Sequence, residues 1–314
     1  MSMPLHPAID KVVKRLAQEP SIAEFDVPEG RRRMSARPLP NIKKAPVASI
    51  HNVDATGRNG AIPIRIYTPR GSGPFPVAFY FHGGGFCYMD VDAYDTACHA
   101  LCDGARAIVV SVEYRLAPEH PYPAGADDCI DAVEWFVAES GRFVADASRL
   151  ALSGDSGGAC LAAATALRIR DQGGPRISGL LLFYPMTDHY SAGWPSFKHY
   201  GGGDFGLRGD LIKLCWDSYL TSSEQIDDPI AVPMRAASLS RLPETLVQTA
   251  EYDLLRDEGE AFANRLRKDN VKVDLVRCDG LNHGFLSWWG ILPEVNQRVD
   301  EACAWLRRAL AVAP

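Results

Sequence analysis

Apolar positions recur along this chain with two periods, and the change from one to the other outlines the fold. Ile9, Val12, Val13 and Leu16 stand at i, i+3, i+4 and i+7, so the first 20 residues are expected to hold an amphipathic helix. A stretch rich in proline, glycine and arginine follows to about residue 45, and its triplet Arg31-Arg32-Arg33 reads as a solvated loop. Strand-like runs then appear at 47–53, 62–68, 77–82, 107–114, 150–154, 180–185, 245–252 and 271–278. From residue 77 onward they are nearly all apolar and mostly separated by helical stretches at 127–140, 159–171, 258–269 and 294–310. Such alternation predicts an α/β fold, a mostly parallel eight-stranded sheet covered by helices on both faces. Residues 189–225 break the rhythm with a glycine-rich loop and an aromatic helix, an insertion of the length that forms lids and binding elements.

Composition narrows the picture. The 314 residues suffice for one large domain or a domain with an appended subdomain, and 46% hydrophobic content can build its core. A net charge of −6 with interspersed signs argues against nucleic acid or an anionic membrane as partner. No apolar run approaches the roughly 18 residues of a membrane span, and the first 20 residues lack the core of a signal peptide. The eight cysteines are scattered without a CxxC pair, so no zinc site is expected. Buried free thiols in a reducing cytoplasm are the expectation.

Chemistry concentrates in a few short stretches. Gly154-Asp155-Ser156-Gly157-Gly158 matches G-x-S-x-G between a strand and a helix. Glycine lowers helix stability by roughly 1 kcal/mol relative to alanine. Three at one junction therefore imply a backbone that side chains obstruct. Ser156 is the candidate nucleophile, with the following helix N-terminus favouring developing negative charge. Its base should be a downstream histidine: His189 and His199 fall in the insertion, whereas His283 follows the last strand and fits the order Ser, acid, His. The acid is one of Glu251, Asp253, Asp257 or Glu258, and Asp253, immediately past its strand, is preferred. Oxyanion donors are expected from "FHGGGF", whose Gly83, Gly84 and Gly85 follow His82, together with the Gly157 amide.

HGGGF, "EYRLAPEHPYPAGADD", GDSGG, "AEYDLLRDEGEAFA" and "LNHGF" together resemble the hormone-sensitive-lipase-like family of α/β-hydrolases from about residue 45 to the end. The resemblance implies a carboxylic-ester hydrolase that needs neither metal nor cofactor and prefers short to medium acyl chains. It implies the triad Ser156, Asp253 and His283, an oxyanion hole of Gly84, Gly85 and Gly157, and support from the block Tyr114 to Glu119. Residues 1–45 and 189–225 resemble the family's two-part cap, leaving 46–188 and 226–314 as the catalytic domain. The chain departs from many members by having Gly157 where they have alanine and Leu254 where they have proline. Phe86, Phe205, Leu207, Trp216, Tyr219, Phe285, Trp288 and Trp289 are candidates for the substrate pocket. An amidase or arylformamidase, and a non-catalytic receptor on the same scaffold, remain alternatives. A homodimer through the strand at 271–278 is a further expectation from the family.

Overall fold

The apolar runs pair into one twisted sheet whose C-terminal edge gathers every candidate residue of the triad. The computed structural model describes residues 3–36 and 42–312. In chain order it contains α1 (Pro7–Leu16), α2 (Val27–Ser35), β1 (Ser49–Gly57), β2 (Gly60–Thr68), β3 (Phe75–Phe81), α3 (Asp95–Ala105), β4 (Ile108–Val112) and α4 (Ala124–Ala138). There follow β5 (Ala145–Asp155), α5 (Gly157–Gln172), β6 (Ile177–Phe183), α6 (Pro195–Tyr200), α7 (Gly209–Tyr219), β7 (Glu244–Tyr252), α8 (Arg256–Lys268), β8 (Val273–Asn282) and α9 (Pro293–Ala309). The sheet order is β1-β2-β4-β3-β5-β6-β7-β8, with only the β1–β2 and β2–β4 pairs antiparallel.

Alternation along β3 shows why both faces are covered. Val77, Phe79 and Phe81 point into one core with α4, α5 and α8, while Ala78 and Tyr80 point into a second with α3 and α9. All five residues of β4 are buried, which is why the central strands read as uninterrupted apolar runs.

Two helices lie where none was expected. α2 carries the arginine triplet and replaces the solvated loop: Asp26 caps it by accepting the Glu29 N–H, and Pro28 occupies its first turn. α3 is buried along most of its length, so its sequence shows little polar face. Outside the sheet, α1, α2, α6 and α7 cluster near the strands' C-terminal ends. His6 N–H donates to Gly280 O, and Tyr122 N–H to Tyr219 O.

Candidate active site

β5 runs directly into the turn that presents Ser156. Ser156 adopts φ 52° and ψ −122°, a conformation costing on the order of 1–3 kcal/mol. Backbone bonds hold it there: its N–H donates to Phe183 O at 3.0 Å, and its carbonyl accepts from Ala159 and Met186, each at 3.1 Å. The flanking glycines are sterically required. A Cβ on Gly154 would stand 2.5 Å from Gly158 O, and one on Gly158 would stand 2.0 Å from Phe81 O.

His283 follows β8 without an intervening residue. Its Nε2 lies 3.0 Å from Ser156 Oγ and its Nδ1 2.8 Å from Asp253 Oδ2. Asp253 stands just past β7, fully buried, and its other oxygen accepts the Leu255 N–H at 2.9 Å. The other acid candidates hold backbone instead. Glu251 accepts from Gly280 N, Asp257 from Ser196 N, and Glu258 from Thr187 N and Asp188 N. His189 contacts Ser191 and Trp216, and His199 packs on Tyr200.

The glycine loop after β3 folds back sharply. Gly84 and Gly85 have φ 107° and 58°, and Phe86 and Met89 share the left-handed region at 67° and 69°. Gly84 O accepts from the N–H groups of Cys87 and Tyr88, and a Cβ on Gly84 would meet Tyr88 O at 2.1 Å. The loop touches the turn at Gly157, where a Cβ would lie 3.1 Å from Gly85 N and 3.2 Å from Phe86 N. Among the described residues, the N–H groups of Gly84, Gly85 and Gly157 have no protein acceptor. Gly85 and Gly157 are buried where the loop abuts the serine turn, and Gly84 is half-exposed.

A family model of the α/β-hydrolase fold matches residues 78–287. The chain belongs to the α/β-hydrolase family. It is 36% identical to esterase LipI of Mycobacterium tuberculosis over 97% of this chain and 96% of that protein. Carboxylesterase NlhH of the same organism is 37% identical over 79% of each. The solved structure of a hyperthermophilic esterase from the archaeon Pyrobaculum calidifontis superposes with a TM-score of 0.94 at 36% identity, covering 99% of this chain and 100% of that one. These likenesses put the chain in the hormone-sensitive-lipase-like branch of the α/β-hydrolases.

In this α/β-hydrolase the residue before the serine fastens the loop to the turn. Asp155, fully buried, accepts from Gly83 N, Tyr80 OH and Tyr94 OH, each at 2.8 Å. Burial pushes its carboxyl up to about 6, opposed by the bonds from Tyr80 and Tyr94. Tyr184 stands beside the same network: its ring is edge-on to His283 at 4.7 Å and to Phe285 at 4.9 Å. His82 stacks on Tyr114 at 4.3 Å, and burial lowers its imidazole to about 4. Tyr114 OH donates to His82 O at 2.7 Å, and Ala117 N–H to Phe86 O at 2.9 Å. The Tyr114–Glu119 block therefore backs the glycine loop. Sequence reading missed all three tyrosines, although Tyr80, alternating with Phe79 and Phe81, was bound to face the other side of the sheet.

The pocket candidates divide. Phe86, Trp216 and Tyr219 are buried as one aromatic layer, with Phe86 stacked on Tyr219 at 3.9 Å. Phe205 and Leu207 are half-buried; Phe205 stacks on Tyr252, and its carbonyl accepts from Asn282 Nδ2. Phe285 is fully buried in the core of α3 and α9, on Tyr184 and Phe183, while Trp288 and Trp289 are half-buried and pack against that core. Among the described residues, no group of three or more His, Cys, Asp or Glu is arranged to hold a metal ion, and no helix is long and apolar enough to cross a membrane.

Proposed function

We propose that this carboxylic-ester hydrolase cleaves esters of short to medium acyl chains through an acyl-enzyme on Ser156. The unbroken line from Ser156 Oγ through His283 to Asp253 carries the reading. His283 Nε2 takes the hydroxyl proton as Oγ attacks the ester carbonyl, and the amides of Gly84, Gly85 and Gly157 receive the oxyanion. The protonated imidazole then gives its proton to the departing alcohol. Water, activated by the same nitrogen, releases the acid. Asp253 fixes the imidazole tautomer and stabilises its cation.

Residues 1–45 and 189–225 act as the cap, with residues 1, 2 and 37–41 outside the described part. Contacts of α1, α2, α6 and α7 near the active-site loops support this division. All eight cysteines are buried free thiols, which favours a reducing, cytoplasmic setting. The exposed edge at β8 is the candidate surface for a homodimer, to be read by light scattering in solution.

Hydrolysis of p-nitrophenyl esters from acetyl to palmitoyl, beside an anilide and Ser156→Ala, tests the reading. Fast turnover of short esters that vanishes in the variant is expected. A folded protein silent on esters but active on the anilide would replace it with an amidase, and silence on both with a receptor.

A further inference from the structure

The glycine loop is held in a conformation it would not keep alone. Four of its residues are left-handed, and Phe86 and Met89 are so despite carrying side chains. Such backbone persists only where its surroundings over-determine it. On the inner side, Asp155 and Tyr114 grip Gly83 and His82. On the outer side the grip comes from a helix far earlier in the chain. Arg31 of α2 donates from Nε to Cys87 O at 2.6 Å and from Nη2 to Ala117 O at 2.7 Å. Ala117 in turn donates to Phe86 O. The other edge of the guanidinium forms two 2.8 Å bonds with Glu119, which fixes its plane. The helix itself sits close against the loop: a Cβ on Gly30 would lie 3.0 Å from the Tyr88 ring. Arg32 and Arg33, by contrast, bond to Glu29 of their own helix.

We propose that Arg31 is a positioning residue for ester hydrolysis: by chelating Cys87 O and Ala117 O it sets the glycine loop, so that docking of α2 completes the oxyanion hole. The inference rests on the reading of Gly84 and Gly85 as oxyanion donors. A planar fork with several fixed donors suits this task, and a lysine ammonium cannot span both carbonyls and the carboxylate in the same way.

The test combines Arg31→Gln, Arg31→Lys and the control Arg32→Gln. Readouts are steady-state kinetics on a short ester, inhibition by an aryl trifluoromethyl ketone and amide exchange over residues 83–89. Ser156 adds to that ketone to give a hemiketal whose oxygen occupies the hole. Arg31→Gln should lower kcat by about ten- to a hundredfold with KM within about threefold, between a small misplacement and loss of an oxyanion donor. Ketone affinity should fall by a matching factor and exchange should quicken. Arg31→Lys should be intermediate, and Arg32→Gln unchanged. A folded Arg31→Gln with unaltered kcat and ketone affinity, or with its loss confined to KM, overturns the proposal. Should Arg31→Gln not fold, full activity in Arg31→Lys overturns it instead. An inactive wild-type enzyme defeats the hydrolase reading and the catalytic role of Arg31 with it, whereas an active enzyme whose Arg31→Gln variant keeps wild-type kinetics defeats the Arg31 proposal alone.

Discussion

Gly157→Ala sets two effects against each other at the one point where the nucleophile turn meets the glycine loop. Alanine at the first position of α5 gains about 0.5–1 kcal/mol over glycine through backbone entropy. Its new methyl would stand 3.0 Å from Gly85 Cα, 3.1 Å from Gly85 N and 3.2 Å from Phe86 N. Each contact is several tenths of an ångström inside the ~3.5–4.0 Å optimum, and overpacking of this kind costs about 1–3 kcal/mol. The net loss in stability is therefore about 0–2.5 kcal/mol, readable by urea unfolding. Catalysis should suffer more visibly. The atoms that must retreat are those of the loop that carries the Gly85 donor, and a 1 Å misplacement can cost ~100-fold. A retreat of a few tenths predicts a fall in kcat of about three- to tenfold, with preference moving toward smaller acyl groups. Urea unfolding and kcat across acetyl, butyryl and octanoyl esters are the assays. Unchanged kcat with an unchanged acyl profile would refute the contact geometry on which the reasoning stands.

Other consequences can be measured in the same protein. Ser156→Gly removes the nucleophile but relieves the φ 52° backbone, so activity should vanish while stability rises by about 1 kcal/mol; a stability loss in denaturant would contradict the strain. Glu258 is fully buried, burial raises its carboxyl well above the usual range, and both its backbone bonds end on Oε1. Stability from this group is therefore greatest below the unfolded carboxyl pKa and declines as pH rises. Glu258→Gln keeps the acceptor and should flatten that decline; an equally steep profile in the variant would argue against it. His82, lowered to about 4 by burial, stabilises the fold fully above pH 6.5 and loses about 3 kcal/mol as pH falls to 4. Asp155, raised to about 6 by burial, carries a penalty of about 3 kcal/mol above that pH, relieved as pH falls toward 4. Relative to wild type, Asp155→Asn should therefore lose stability more steeply between pH 6.5 and 4, and parallel curves would refute the offset.

The central strands β3, β4 and β6 were legible because most of their residues are buried on both faces, leaving nearly unbroken apolar runs. The hydrogen-bonded line was legible for a different reason: Ser156, Asp253 and His283 each sit immediately past a strand, so chain order and strand ends picked out three groups that the fold brings together. α2 escaped because Pro28, Gly30 and three arginines read as loop, although Asp26 and Pro28 are a helix start. A side chain at Gly30 would crowd Ile22 and the Tyr88 ring, each 3.0 Å from where its Cβ would stand. Aromatic residues were the least legible. Their sequence says that they are buried but not against which face of the sheet, and so Tyr184 was overlooked.

Three of the four outer helices, α1, α2 and α6, are each bonded to a different segment beside the active site. α1 leads in from the His6 bond to Gly280, α6 opens at Ser196, whose hydroxyl donates to Leu254 O beside the acid, and α2 grips Cys87 O. Admission and readiness are thus one coordinate. A substrate large enough to push any of these helices aside loosens the base, the acid or the hole as it enters. On the proposed function, an oversized ester would be turned over slowly after entry rather than shut out by a door.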